Sequence, residues 1–64
     1  MAGYTRDVKR LLADSGCYFD RQGKGDHEVW FCPAVSRHVT VDGNIKSRFT
    51  ANAILQSAGL RKSL

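Results

Sequence analysis

The sequence predicts an α+β fold, a two-layer sandwich of order α-β-β-β-α built on a three-stranded antiparallel sheet. Three observations carry this reading. Apolar residues recur at helical spacing near both ends of the 64-residue chain. Three short runs rich in β-branched and aromatic residues lie between them. The connections joining those runs are too short for parallel crossovers, so the strands form a meander. Length favours one domain, residues 1–64, and excludes dinucleotide-binding folds and α/β barrels.

The first helix spans roughly residues 5–15. Val8, Leu11 and Leu12 share a face, Tyr4 precedes Val8 by one turn, and Arg6, Lys9, Arg10 and Asp14 fall between. Thr5 is a candidate cap, Asp7 suits the first turn, and Gly16 supplies a stop. The first strand follows over residues 17–22, with Tyr18 and Phe19. Gly23-Lys24-Gly25-Asp26 is turn chemistry. A second strand covers residues 27–32 and ends at Pro33, which has no N–H for a ladder. Residues 37–42 alternate cleanly, with Val39 and Val41 toward the core, and Gly43-Asn44 breaks the run. Thr50 then caps a second helix whose apolar face is Ala51, Ile54, Leu55 and Ala58, closed by Gly59. Both helices are expected on one face of the sheet, leaving the other in water.

The composition, 42% hydrophobic and 25% charged, is that of a globular domain rather than a disordered tail. No apolar run comes near the ~18 residues of a membrane span, and no signal peptide is read at the start, so a cytoplasmic protein without membrane contact is expected. The net charge is +4, and all of it falls in residues 37–64, where Arg37, Lys46, Arg48, Arg61 and Lys62 face only Asp42. Such a surface invites a polyanion or an acidic partner. Cys17 and Cys32 are expected to stay reduced as small buried hydrophobes. The set Cys17, His27, Cys32 and His38 matches no zinc spacing, so no metal and no cofactor is expected.

Gly23-Lys24-Gly25-Asp26-His27 is the most pointed constellation. The glycines permit close approach of another molecule, and imidazole suits proton transfer from a 2′-hydroxyl at neutral pH. Arg21 and Lys24 place positive charge nearby. The residues alone leave a locally hydrogen-bonded turn histidine as the plainer reading, because glycine-rich hairpins are plentiful. Alternation also puts His27 on the face of Val29 and Phe31, opposite Glu28 and Trp30, which counts against an exposed catalytic His27. His38 reads as solvent-facing, either an ordinary surface residue or a phosphate contact. Lys46 and Arg48 precede the second helix, where the dipole favours anions, although a plain solvated loop fits too. Tyr18, Phe19 and Trp30 are assigned chiefly to the core rather than to base stacking. No nucleophile elbow or phosphate loop is present.

Residues 21–30, Val39-Thr40-Val41 and the closing Thr50-Ala51-Asn52-Ala53-Ile54-Leu55-Gln56-Ser57-Ala58-Gly59-Leu60 together resemble the HicA toxins. These are the small RNA-cleaving partners of bacterial toxin–antitoxin pairs. The resemblance covers roughly residues 5–60 and rests on the glycine–acidic residue–histidine step and the Ile-Leu-x-x-Ala-Gly-Leu helix. It implies a double-stranded-RNA-binding-domain-like fold and an mRNA interferase, an endoribonuclease needing no cofactor. It also implies neutralisation by a HicB-like antitoxin. His27 takes the catalytic position, with Arg21, Lys24, Gly25, Arg37, His38, Lys46 and Arg48 as candidate RNA contacts. Two departures stand out. Glu28 occupies the place where many members carry a second histidine, and Asp42-Gly43-Asn44-Ile45-Lys46 replaces a proline-rich or glycine-lysine stretch. A non-catalytic RNA-binding module and a basic adaptor for an acidic protein are the rival readings.

Overall fold

A computed structural model describes residues 3–60 and 64. Arg61 and Lys62, two of the cations counted above, lie outside the described residues. The order is α1 (Thr5–Asp14), β1 (Tyr18–Gln22), β2 (Glu28–Cys32), β3 (Arg37–Val41) and α2 (Arg48–Ser57). The strands pair antiparallel in the order β1-β2-β3, which is the expected meander and the expected α+β class.

Both helices cover one side of the sheet. Val8 and Leu12 of α1 and Ala51 and Leu55 of α2 meet Cys32, Val39 and Val41 in a fully buried cluster, with Ile45 wedged in from the loop before α2. Alternation on β2 therefore sends Cys32, Trp30 and Glu28 toward the helices and Phe31 and Val29 toward solvent. Phe31 instead packs its ring against Tyr18 at 5.8 Å and His38 at 4.8 Å on the open face. The expectation that Tyr18 and Phe19 serve the core is thus corrected: they are 52% and 48% exposed, while Trp30 packs against the core.

The caps differ from the reading above. Tyr4 occupies the N-cap of α1 with no side-chain hydrogen bond, because the Thr5 hydroxyl is used elsewhere. It donates to the carbonyl of Asp42 and accepts the N–H of Ile45, tying α1 to the loop after β3. Ser47 rather than Thr50 caps α2, its Oγ accepting the N–H groups of Phe49 and Thr50. A serine three residues ahead of Thr50 satisfies those donors first, so the helix begins at Arg48.

The cysteines require a second correction. Cys17 and Cys32 are buried as expected, but they are joined as a disulfide rather than held as free thiols. Tyr18 pairs with Phe31, so one step outward along an antiparallel ladder sets Cys17 opposite Cys32. Linear spacing of 15 residues hides that proximity. The bridge fastens the outer end of the hairpin, where closing a loop of this length stabilises a small chain by about 3 kcal/mol in the chain-entropy account.

Glu28 links the two layers. Its carboxylate accepts from the Trp30 indole N–H at 3.0 Å and from Lys9 Nζ of α1 at 3.1 Å. The Trp30 bond first, and Lys9 after it, hold the Glu28 carboxyl below its ordinary value. A lowered carboxyl contributes stability above the unfolded-state value and loses it as pH falls through the folded-state value. Glu28→Gln is therefore expected to cost about 1 kcal/mol or less at neutral pH, with the difference from wild type closing as pH falls through the lowered carboxyl value. Urea unfolding of both proteins at two pH values measures this.

Candidate functional site

The site forms at one end of the sheet, where the β1–β2 turn meets the loop after β3. Gly25 lies in the turn at φ +63°, a left-handed conformation glycine adopts without a Cβ penalty. The backbone of His27 is then held from both directions. Its N–H donates to the Lys24 carbonyl at 3.0 Å, and its carbonyl accepts from the Gly23 N–H at 2.8 Å. The same carbonyl also accepts from Gln22 Nε2 at 2.7 Å, and that amide reaches the Gly25 carbonyl as well. The imidazole consequently projects from a fixed base while its side chain stays 44% exposed. The alternation argument reverses in favour of this histidine. His27 does share its parity with Val29 and Phe31, but Phe31 lies on the open face.

The charged groups within ion-pair distance of His27 Nε2, among the described residues, are both acidic. Asp42 Oδ1 lies at 3.7 Å and Asp26 Oδ1 at 3.9 Å. Asp42 arrives from the loop after β3, and its carboxylate accepts the Asn44 N–H at 3.1 Å. Gly43 makes the approach possible. A Cβ there would fall 2.7 Å from the Asp26 carbonyl oxygen and 2.8 Å from its Oδ2. The three side chains lie close enough to share a cation, yet Asp26 is exposed and the other two are only half-buried, as in an ordinary solvated acidic cluster.

The candidate RNA contacts do not converge on His27 as one patch. Lys24 and Gly25 share its turn. Arg21 pairs across β1–β2 with Val29 and turns its guanidinium to Asp20 at 2.6 Å. His38 sits opposite Phe31, four residues along β2 from His27 or roughly 13 Å, with Nε2 3.4 Å from Asp20 Oδ2. Arg37, on the opposite face, donates to the Ser57 carbonyl at the end of α2. Arg37 and His38 nevertheless both line, with Thr40, Thr50 and Ile54, a groove of 350 Å³ between β3 and α2. Lys46 and Arg48 are exposed around Ser47, whose hydroxyl already occupies two of the N–H groups at the start of α2.

Two contributors escape sequence reading. Gln22 fixes the turn through its amide, and its placement next to the glycines was the available signal. Asp42 reaches His27 from a distant part of the chain, which no local pattern reveals.

Among known families, the chain matches a toxin of bacterial toxin–antitoxin systems over residues 5–60, a span holding every helix and strand and both loops at His27. It belongs to the HicA toxin family. No curated protein and no solved structure matches it. No helix among the described residues is long and apolar enough to cross a membrane.

Because Gly43 faces backbone at 2.7 Å, relief requires one loop to move. Gly43→Ala is expected to cost about 1–3 kcal/mol, the range of overpacked sites, and to separate Asp42 from His27. Chemical denaturation gives the first quantity, and the cross-peaks between the two residues in a nuclear Overhauser spectrum give the second.

Proposed function

We propose that this toxin is a metal-independent endoribonuclease acting on mRNA, with His27 as its general base. The observation that carries the reading is a half-exposed imidazole on an immobilised backbone, at the position that the family resemblance assigns to catalysis. Neutral His27 removes the proton of an RNA 2′-hydroxyl. The 2′-oxygen attacks the adjacent phosphorus, the bond from phosphorus to the 5′-oxygen breaks, and water supplies the proton that oxygen takes up. The products are a 2′,3′-cyclic phosphate and a 5′-hydroxyl. Lys24, in the same turn, is the cation best placed by sequence to steady the charge developing on phosphate.

The remaining cations act at longer range. Arg21 and His38 on the open face, Lys46 and Arg48 before α2, and Arg37 beside it would hold the RNA backbone on either side of the cut. A HicB-like antitoxin silences the enzyme by covering His27. A chain of this size has few residues to spare for a lid, and the basic surface that attracts RNA speeds association with an acidic partner.

Replacing His27 with Ala tests the reading. Cleavage of a long RNA is expected to fall by about 10²–10⁴, with folding stability changed by about 0.5 kcal/mol at a half-exposed position. RNA binding is expected to persist. Wild-type protein that binds RNA without cutting it would make the chain an RNA-binding module, and a folded variant that still cuts would remove His27 from the chemistry.

A further inference from the structure

We infer that Asp42 is the positioning residue for His27, a carboxylate that orients the imidazole and stabilises its protonated form during the reaction. The inference rests on the ribonuclease reading above. Asp42 and His27 are 15 positions apart in the chain, and the fold brings Asp42 Oδ1 to 3.7 Å from His27 Nε2. That is beyond a hydrogen bond but within reach of a charge, and such contacts tighten once substrate is bound.

What distinguishes Asp42 from its neighbour is how firmly it is held. Its Oδ1 accepts the Asn44 N–H, and its carbonyl accepts the Thr5 hydroxyl. That hydroxyl also takes the Ile45 N–H, and the Ile45 carbonyl accepts the Tyr4 N–H at 2.9 Å. Ile45 itself is 1% exposed within the core. The loop carrying Asp42 is therefore bolted to α1 and to the core, and Gly43 lets it lie directly on the turn that carries His27. Asp26 lies at nearly the same distance, but its side chain is 66% exposed.

A carboxylate facing Nε2 favours the tautomer with hydrogen on that nitrogen and leaves the Nδ1 lone pair for the 2′-hydroxyl. When Nδ1 takes the proton, the ring becomes a cation beside a fixed anion, and the transition state gains what the ground state lacks. The same anion repels the phosphates of RNA, so its removal should harm turnover without weakening binding. A merely structural residue would not show that split.

The test is steady-state cleavage of a single-stranded RNA by wild type, Asp42→Asn, Asp42→Glu and Asp26→Asn, with thermal midpoints recorded for each. Asp42→Asn is expected to lower kcat by about 10- to 100-fold with KM unchanged or lower. Asp42→Glu is expected to recover part of that loss, and Asp26→Asn to lower kcat by less than Asp42→Asn does. If Asp42→Asn fails to fold, Asp42→Ser, whose hydroxyl can still take the Asn44 N–H, is read against the same criteria. Unchanged kcat in the folded variant, a rise in KM alone, or an equal loss in Asp26→Asn would overturn the inference while the ribonuclease reading stands. Equal loss would mean the cluster acts through its total charge, and loss of wild-type cleavage on adding a chelator would mean the carboxylates act by holding a cation. Wild type and His27→Ala cutting RNA alike would overturn the ribonuclease reading itself.

Discussion

The close approach of two loops governs this molecule. Where the chain leaves β3 it passes so near the glycine-rich turn that a single methyl at Gly43 would meet the Asp26 carbonyl oxygen at 2.7 Å. Thr5 secures the same loop from the other side with one hydroxyl that both donates and accepts. The start of α1, the end of β3 and the β1–β2 turn are thereby fixed relative to one another. A histidine placed in that turn inherits the rigidity of all three. For the proposed reaction, preorganisation of this kind would leave little reorganisation when charge develops.

A thin core explains the rest of the economy. Few residues are fully buried, and they come from every element except β1. β1 is exposed along its whole length and is held by its ladder to β2 and by the Cys17–Cys32 bridge at its start. Glu28 serves a comparable end from within the sheet, joining Lys9 of α1 to Trp30. Glu28 thus carries an interlayer tie on the face away from the open side. One histidine remains at the end of the sheet, and a carboxylate stands beside it.

Much of this was legible in the sequence because it depends on local spacing. Helical periodicity at Val8, Leu11 and Leu12, alternation at Val39 and Val41, and turn chemistry at residues 23–26 each announce an element. The parity of His27 with Val29 and Phe31 was equally legible, but which face is buried depends on where the helices land. Phe31 and Val29 are apolar enough for either side, so parity alone pointed the wrong way. The disulfide and the His27–Asp42 contact were hidden for a related reason. Both join residues that become neighbours only when strand register is fixed. Thr5 shows a smaller version: it is a good cap by type, but its hydroxyl is taken by the loop after β3.

The chemistry assigned to His27 makes a specific demand on the products. Attack by the RNA's own 2′-oxygen leaves a 2′,3′-cyclic phosphate on one fragment and a 5′-hydroxyl on the other, whereas attack by an activated water leaves a 3′-hydroxyl and a 5′-phosphate. Mass spectrometry of the ends produced from a defined RNA therefore tests the account most directly. Cyclic phosphate and 5′-hydroxyl ends, formed equally well with a chelator present, are what it predicts. Ends bearing 3′-hydroxyl and 5′-phosphate groups would contradict it.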